Sequence, residues 1–411
     1  MRFLPLFLAR RLTLSSNGKK STPAVKVAII AVALSVAVML AAISIVMGFK
    51  EEITKKVFGF NPHITISVNP EILPDDPLVS MTPSLKYILN NFPGIESYAL
   101  SSTAPAIFKT DNDFKGVYLK SLGSKTLSDF LNTQLVAGKI PENPDSTTLV
   151  ISEAAANQLN LKVGEKLPTY FITENVHVRP LVISGIFNSH FDTYDDIYAY
   201  CANSLIQDIG NVKETEGTAI NIFLDDFNNI DEAAYDLQNT LNEAYNRDLI
   251  YKPYRVDTAL RSGANYFSWL QLLDMNVVIV LILMTAVACI TLISGILIII
   301  VDKKRFIAVM KSLGASNKTM RSTFIWLTLR VAVTGLLTGN ILMLVLLFIQ
   351  KSYHLIPLAA ESYYISFVPV TISWPAVVIL NAAIFIITYL MLVFPARFVG
   401  SVSPAAALGN E

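Results

Sequence analysis

The chain has 411 residues, 53% of them hydrophobic and only 16% charged, with 32 Lys/Arg balanced by 32 Asp/Glu. So much apolar content at so low a charge argues against a fully soluble protein. The zero net charge gives no electrostatic footprint for a nucleic-acid partner.

In chain order, residues 1–26 form a basic amphipathic head with Arg2, Arg10, Arg11, Lys19, Lys20 and Lys26 and no acid. Gly18-Lys19-Lys20-Ser21 imitates a phosphate-binding loop but lacks the earlier glycine and the Gly-Lys-Ser/Thr order, so it reads as a solvated basic turn. Residues 27–49 carry no charge over 23 positions. A helix needs roughly 20 apolar residues to cross a bilayer core. The run outlasts a signal-peptide core, and Met47-Gly48-Phe49-Lys50 is a poor cleavage site, so it reads as a retained anchor. Met39, Ile43 and Met47 fall at i, i+4, i+8 along it, and Ala33, Ala37 and Ala41 form a small-residue ridge suited to close helix approach.

Residues 50–274 differ in kind, with 17 Lys/Arg against 29 Asp/Glu, a net charge of −12. Strands are expected at His63–Val68, Tyr98–Phe108 and Lys115–Lys120, with a helix at Ser84–Asn91. The pattern returns with strand Thr218–Leu224, helix Asp231–Tyr245 and strand Leu249–Arg255; Ala234, Leu237, Leu241 and Tyr245 share one helical face. Two strand–helix–strand units at 50–120 and 212–274 suggest a split βαβ sandwich. The strand-rich stretch between them, 121–211, reads as an inserted β subdomain with turns at "GKIPENPDS" and "VGEKLP".

Three more apolar runs follow at 275–301, 324–349 and 367–396. The loop 302–323 between the first two of these holds Lys303, Lys304, Arg305, Lys311, Lys318 and Arg321 against Asp302 alone. Basic residues mark the cytoplasmic side, so both termini are expected inside, with 50–274 and the short loop 350–366 outside. The tail 397–411 then lies inside. The fold class expected is an integral membrane protein of four transmembrane helices with a large extracytoplasmic α+β domain.

Catalytic chemistry is hard to find. Asp111-Asn112-Asp113-Phe114-Lys115-Gly116 imitates the start of a calcium loop, yet Lys115 and Leu122 occupy ligand positions, so a hairpin turn is expected. His63, His177, His190 and His354 lack metal-ligand spacing. Asp192, Asp195 and Asp196 in "HFDTYDDIYAY" are expected to be a solvated loop. Cys201 and Cys289 fall on opposite sides of the expected topology, which leaves no intrachain disulfide.

Within the loop 302–323, Phe306, Val309, Met310 and Leu313 follow i, i+3, i+4, i+7, one face of a helix. Gly314 suits its end and Ser316 can cap the next helix. Such a stripe lies on anionic lipid or docks into a cytoplasmic partner. "RFIAVMKSLGASNKTM" resembles the cytoplasmic coupling segment of the macrolide-exporter-type ABC permeases, the FtsX-like family. "PARFVGSVSPAAAL" resembles that family's C-terminal ending. "FLARRL", "VMGFKEEI" and "VGEKLPTYFI…VRPLVISGIFNSHFDTYDDIYAY" resemble its lipoprotein-releasing branch.

The resemblance implies a permease without its own ATPase motifs. It pairs with a second copy or a paralogue and binds two separate ATPase subunits that consume ATP and Mg; this chain holds no cofactor. Arg305, Phe306, Val309, Met310, Lys311, Leu313 and Gly314 would then form the ATPase-coupling element. Met39, Ile43 and Met47 would face the acyl cavity. Arg179 and Pro180, in the hairpin Thr173–Pro180, would dock a soluble lipoprotein carrier. The implied work is release of lipoproteins from the outer leaflet of the inner membrane. Export of drugs or peptides, regulation of cell-wall hydrolases, and a membrane-anchored enzyme or adhesin are the alternatives.

Overall fold

The computed structural model describes Phe7 and residues 23–141, 144–172, 176–226, 229–393 and 395–396. The basic head and the C-terminal tail therefore lie almost wholly outside the described residues. The chain divides into a globular unit, Glu52–Ser268 with Leu358–Ser366, and a helical unit formed by the rest, including Trp269–Pro357.

The strands of the globular unit begin with β1 (Ile64–Val68), β2 (Val79–Ser80), β3 (Ile95–Ser101), β4 (Thr103–Lys109), β5 (Phe114–Ser121), β6 (Leu135–Gly138) and β7 (Thr148–Ser152). They continue with β8 (Lys166–Ile172), β9 (Val176–Phe187), β10 (Tyr198–Cys201), β11 (Glu216–Gly217), β12 (Ala219–Leu224) and β13 (Tyr254–Thr258). One sheet runs β13-β1-β12-β3, antiparallel throughout. Strands β1 and β13 alternate buried and half-buried residues, the pattern of a sheet covered on one face. The cover is two helices, Pro83–Asn91 and Ile230–Asn246, which bury Leu85, Leu89, Leu237 and Leu241 against Ile64, Ile66, Ile220 and Ile222. Thr82 starts the first of these helices by accepting from Leu85 N at 3.2 Å, with Pro83 in the first turn, where its missing N–H is harmless. The sheet order, with helices after β1 and β12, is the split βαβ arrangement.

The second sheet runs β6-β9-β7-β10-β5-β4-β8, and β8 also pairs with β9. Six of its strands therefore close on themselves into a barrel, with β6 added outside the ring. Phe108, Leu119, Leu149, Leu167, Phe171 and Ile183 fill its core. Asp111–Asp113 make the β4–β5 hairpin turn, where Thr110 N donates to Asp113 O at 2.9 Å.

Three expectations change. The single strand Tyr98–Phe108 is two strands in different sheets, broken at Ser102, because the chain crosses between layers there; Ser102 N and Ser101 Oγ both reach Ser121 Oγ. The barrel consequently takes in β4 and β5, so its sequence begins at Thr103 rather than at Ser121. The last strand is Tyr254–Thr258 rather than Leu249–Arg255: Leu249 and Tyr251 are exposed, and strand pairing with β1 begins only at Tyr254.

Four helices among the described residues are long and apolar enough to span a membrane: Val25–Phe60, Ala264–Asp302, Asn317–Tyr353 and Trp374–Val393. At 1.5 Å per residue, the first three exceed the roughly 30 Å of hydrocarbon, so they run on past the apolar runs that announced them. The helix containing the first run begins at Pro23 and stays helical through Lys50, Glu51, Glu52, Lys55 and Lys56 to Phe60. Straight-chain charged residues are good helix formers, and hydropathy reports only where the solvent changes.

Candidate functional site

The short helix Lys304–Ser312 follows the second spanning helix after Lys303 alone. Its end is built tightly. Gly314 takes a left-handed φ of +91°, Gly314 N donates to Lys311 O at 3.0 Å, and Ala315 N reaches back to Met310 O at 2.9 Å. Ser316 then caps the third spanning helix, accepting from Thr319 N at 3.2 Å.

This helix has two apolar faces. Ile307 and Ala308 are fully buried; Ile307 packs on Ile296, Ile299, Ile300, Met320 and Phe324 of the second and third spanning helices. Met310 is half-buried against the same cluster, and Phe306 is half-buried. Val309 is 42% exposed and Leu313 78% exposed, with Arg305 exposed beside them. The expected four-residue ridge is thus split: two members stand open, and two partly close onto the protein. Ile307 and Ala308 were missed because a short helix that is apolar on two faces satisfies the helical period twice. What the pair provides is rigid attachment of the short helix to the bundle.

The first spanning helix is packed more closely than its sequence suggests. Met39 is fully buried in the interhelical core, and Thr285 Oγ1 approaches its sulfur at 3.6 Å. Within this chain Met39 faces the other helices rather than a cavity. Ile43 and Met47 are only half-buried. Close approach comes from Gly335 and Gly339, one turn apart on the third spanning helix. A methyl on Gly339 would overlap the Ala33 carbonyl, and one on Gly335 would lie 2.7 Å from Val32 Cβ. Glycines four apart on an apolar helix were the available signal for this contact. Asn340 and Asn381 exchange side-chain amide bonds at 2.7 and 3.1 Å, joining the third and fourth spanning helices.

In the globular unit, Arg179 and Pro180 are exposed and lie inside β9, opposite Thr169 and Pro168 of β8. They sit on the strand rather than at the hairpin tip; Thr173, Glu174 and Asn175 are outside the described residues. Val176 and Val178 on the same strand are 65% and 44% exposed.

The acidic cluster is not a solvated loop. Asp195 is buried and accepts from Ser189 N at 3.0 Å and Ser189 Oγ at 2.6 Å. Burial pushes its carboxyl above the usual range, while the Ser189 donors and nearby Lys56 pull it back. Lys56 Nζ donates to Ser189 O and Tyr364 O, each at 2.5 Å, which ties the segment Leu358–Ser366 into this unit. Phe60, Phe191, Tyr194, Tyr266 and Tyr364 pack as an aromatic cluster around that node. Asp196 behaves as expected: it is exposed and pairs with Lys115 at 3.2 Å. The aromatics interleaved with these acids were the burial signal the sequence reading passed over.

The MacB-like periplasmic core domain family matches residues 27–240, and the FtsX-like permease C-terminal family matches residues 276–404. A lipoprotein-releasing system transmembrane protein LolE from Haemophilus influenzae is 24% identical over 99% of both chains. A lipoprotein-releasing system transmembrane protein LolC from Xylella fastidiosa is 23% identical over 93% of both. The crystal structure of the periplasmic region of MacB from Actinobacillus actinomycetemcomitans is 14% identical, covers 51% of this chain and 95% of its own, and has a TM-score of 0.35.

Proposed function

This chain belongs to the MacB-like, FtsX-like permeases of ABC transporters, and from that premise we propose that it releases lipoproteins from the outer leaflet of the inner membrane. The carrying observation is the short helix Lys304–Ser312. One face is locked by Ile307 and Ala308, while Val309 and Leu313 stand exposed next to Arg305. Two open apolar side chains four residues apart, beside a cation and on a helix held from behind, offer the contact that an apolar groove with an acidic rim can receive. The partner is two ATPase subunits that burn ATP with Mg on the cytoplasmic side. Val309, Leu313, Phe306 and Met310 engage an apolar groove, and Arg305 and Lys311 meet acids at its rim. The second permease is a copy or a paralogue of this chain.

The cargo assignment is supported by the lipoprotein-releasing relatives, which align over almost the full length of the chain. It also meets a physical need. Each buried methylene of an acyl chain holds its protein in the bilayer by about 0.8 kcal/mol, so a multiply acylated protein does not leave without an energy source. The half-buried Ile43 and Met47 border the path of the acyl chains, and the exposed strand around Arg179 and Pro180 receives a soluble carrier. Both termini lie in the cytoplasm, as the basic loop 302–323 requires.

Depletion of the protein tests this reading: lipoproteins accumulate in the inner membrane. Normal sorting under depletion, with the ATPase still bound, would instead assign the chain to the export of another substrate.

A further inference from the structure

A cleft of about 500 Å³ opens between the start of the third spanning helix and the end of the fourth. Its volume falls in the range of small-molecule sites, roughly 300–1,000 Å³. The residues from the third helix fall at i, i+3, i+4, i+7, i+8 and i+11, so Lys318, Arg321, Ser322, Ile325, Trp326 and Leu329 line one face. Phe385 and Tyr389, one turn apart on the fourth helix, form the opposite wall. We propose that this cleft is a site for a phospholipid with an anionic headgroup.

The gradient along the cleft carries the proposal. Polar and basic lining residues come first in the third helix, and Trp326 lies eight residues beyond Lys318, about 12 Å along the axis. The lining therefore runs from cationic to aromatic and aliphatic over about 12 Å, which takes in a headgroup, the interface below it and the start of its acyl chains. Trp326, Phe385 and Tyr389 are 42%, 39% and 47% exposed, so the wall is open to the bilayer. Indole and phenol rings favour the headgroup level, where one end is apolar and the other wet. Arg321 Nη2 donates to Val393 O at 3.0 Å, which fixes the guanidinium between the two helix ends with four further N–H donors. Among the described residues no acid lines the cleft beside Lys318 and Arg321. Charge complementarity thus selects an anionic headgroup, and the basic loop places that headgroup in the inner leaflet. Leu313 and Val309 do not line the cleft, so its occupancy is separate from docking of the ATPase.

The test uses the full-length chain in bilayers, with Trp269→Phe and Trp374→Phe leaving Trp326 as the single tryptophan. Brominated phosphatidylglycerol and brominated phosphatidylcholine are compared as quenchers of its fluorescence. The expected result is a roughly twenty-fold preference for the anionic lipid, falling about five-fold with Lys318→Gln and again with Arg321→Gln. Quenching by brominated phosphatidylcholine stays constant across these variants, which shows that each remains folded in the bilayer. Lys304→Gln, on the same loop but outside the cleft, leaves the preference intact. Equal quenching by the two lipids means an annular lipid without selectivity and overturns the proposal. An equal loss with Lys304→Gln, or displacement by inorganic phosphate, overturns it as well; the first indicates diffuse surface attraction, the second a soluble anion.

Discussion

The two units of the chain bury their apolar residues to very different degrees. Most of the largest fully buried side chains belong to the globular unit, among them Tyr200, Phe60, Phe108, Phe171, Phe187 and Phe191. In the second spanning helix, by contrast, only 17% of the most apolar stretch is buried, against 39% in the first. Met275, Ile282, Ile290, Ile298 and Val301 of that second helix stand open. Water forces the globular unit to complete its cores within one chain. Lipid sets no such requirement, so the helical unit leaves surface for bilayer and partner, and its internal contacts rest on close packing and a few polar bonds. One unit is finished within the chain; the other is finished only with the bilayer around it.

The sharpest way to break this comparison is in the closed barrel. Phe108→Ala is expected to destabilise the globular unit by about 3–5 kcal/mol, read as early proteolysis of residues 52–268 with the spanning helices still inserted. Equal resistance of variant and parent would mean that the barrel is not a separate core.

At the short helix the contrast operates within nine residues. Leu313→Asp is expected to lower retention of the ATPase about thirty-fold, corresponding to about 2 kcal/mol for an interface anchor, with normal amounts of inserted protein. Ile307→Asp, on the buried face, removes folded protein altogether. Co-purification from mild detergent separates the two; if both variants behave alike, the open ridge is not a docking face.

Gly339→Val probes the bundle itself. Its side chain collides with the Ala33 backbone, so a loss of about 1–3 kcal/mol is expected, read as a lower unfolding temperature of the spanning helices with the globular transition unmoved. Asn340→Leu acts more weakly, by about 0.6 kcal/mol and no more than about 1.7. Adding Asn381→Leu recovers part of the loss, because the second amide is then no longer left unpaired in hydrocarbon.

The smallest effect is a silence. Cys201 is fully buried, and burial pushes its thiol up to about 12. The thiolate is the reactive form, so a thiol reagent at pH 8 leaves Cys201 unmodified until the globular unit opens. The unfolded chain loses this proton at lower pH than the folded one, so the contribution to stability falls as pH rises above about 9. Rapid labelling of Cys201 in the native protein would show that the barrel is not closed.

Much of this architecture was legible in advance where one periodicity had one explanation. The first, second and third apolar runs gave spanning helices; the fourth did so from Trp374, seven residues after the run begins. Gly314 and Ser316 marked helix ends, and the Leu237/Leu241 face found its sheet. Reading failed where a residue's surroundings came from far along the chain. Asp195 looked solvated beside Asp192 and Asp196, yet the aromatic cluster that surrounds it includes Phe60, Tyr266 and Tyr364. Tyr98–Phe108 looked like one strand because β propensity carries no mark of which sheet a residue joins.

The sequence by itself determined which segments prefer lipid, where helices begin and end, and which loop carries the positive charge, because solvent preference, capping and charge are local properties. Only the tertiary structure decided that Met39 is core, that Val309 and Leu313 are open while Ile307 and Ala308 are shut, and that β8 meets β9 to close a barrel. The physical reason is that burial is shared between residues far apart in the chain, and a period along one helix or strand says which residues lie together but not what they face.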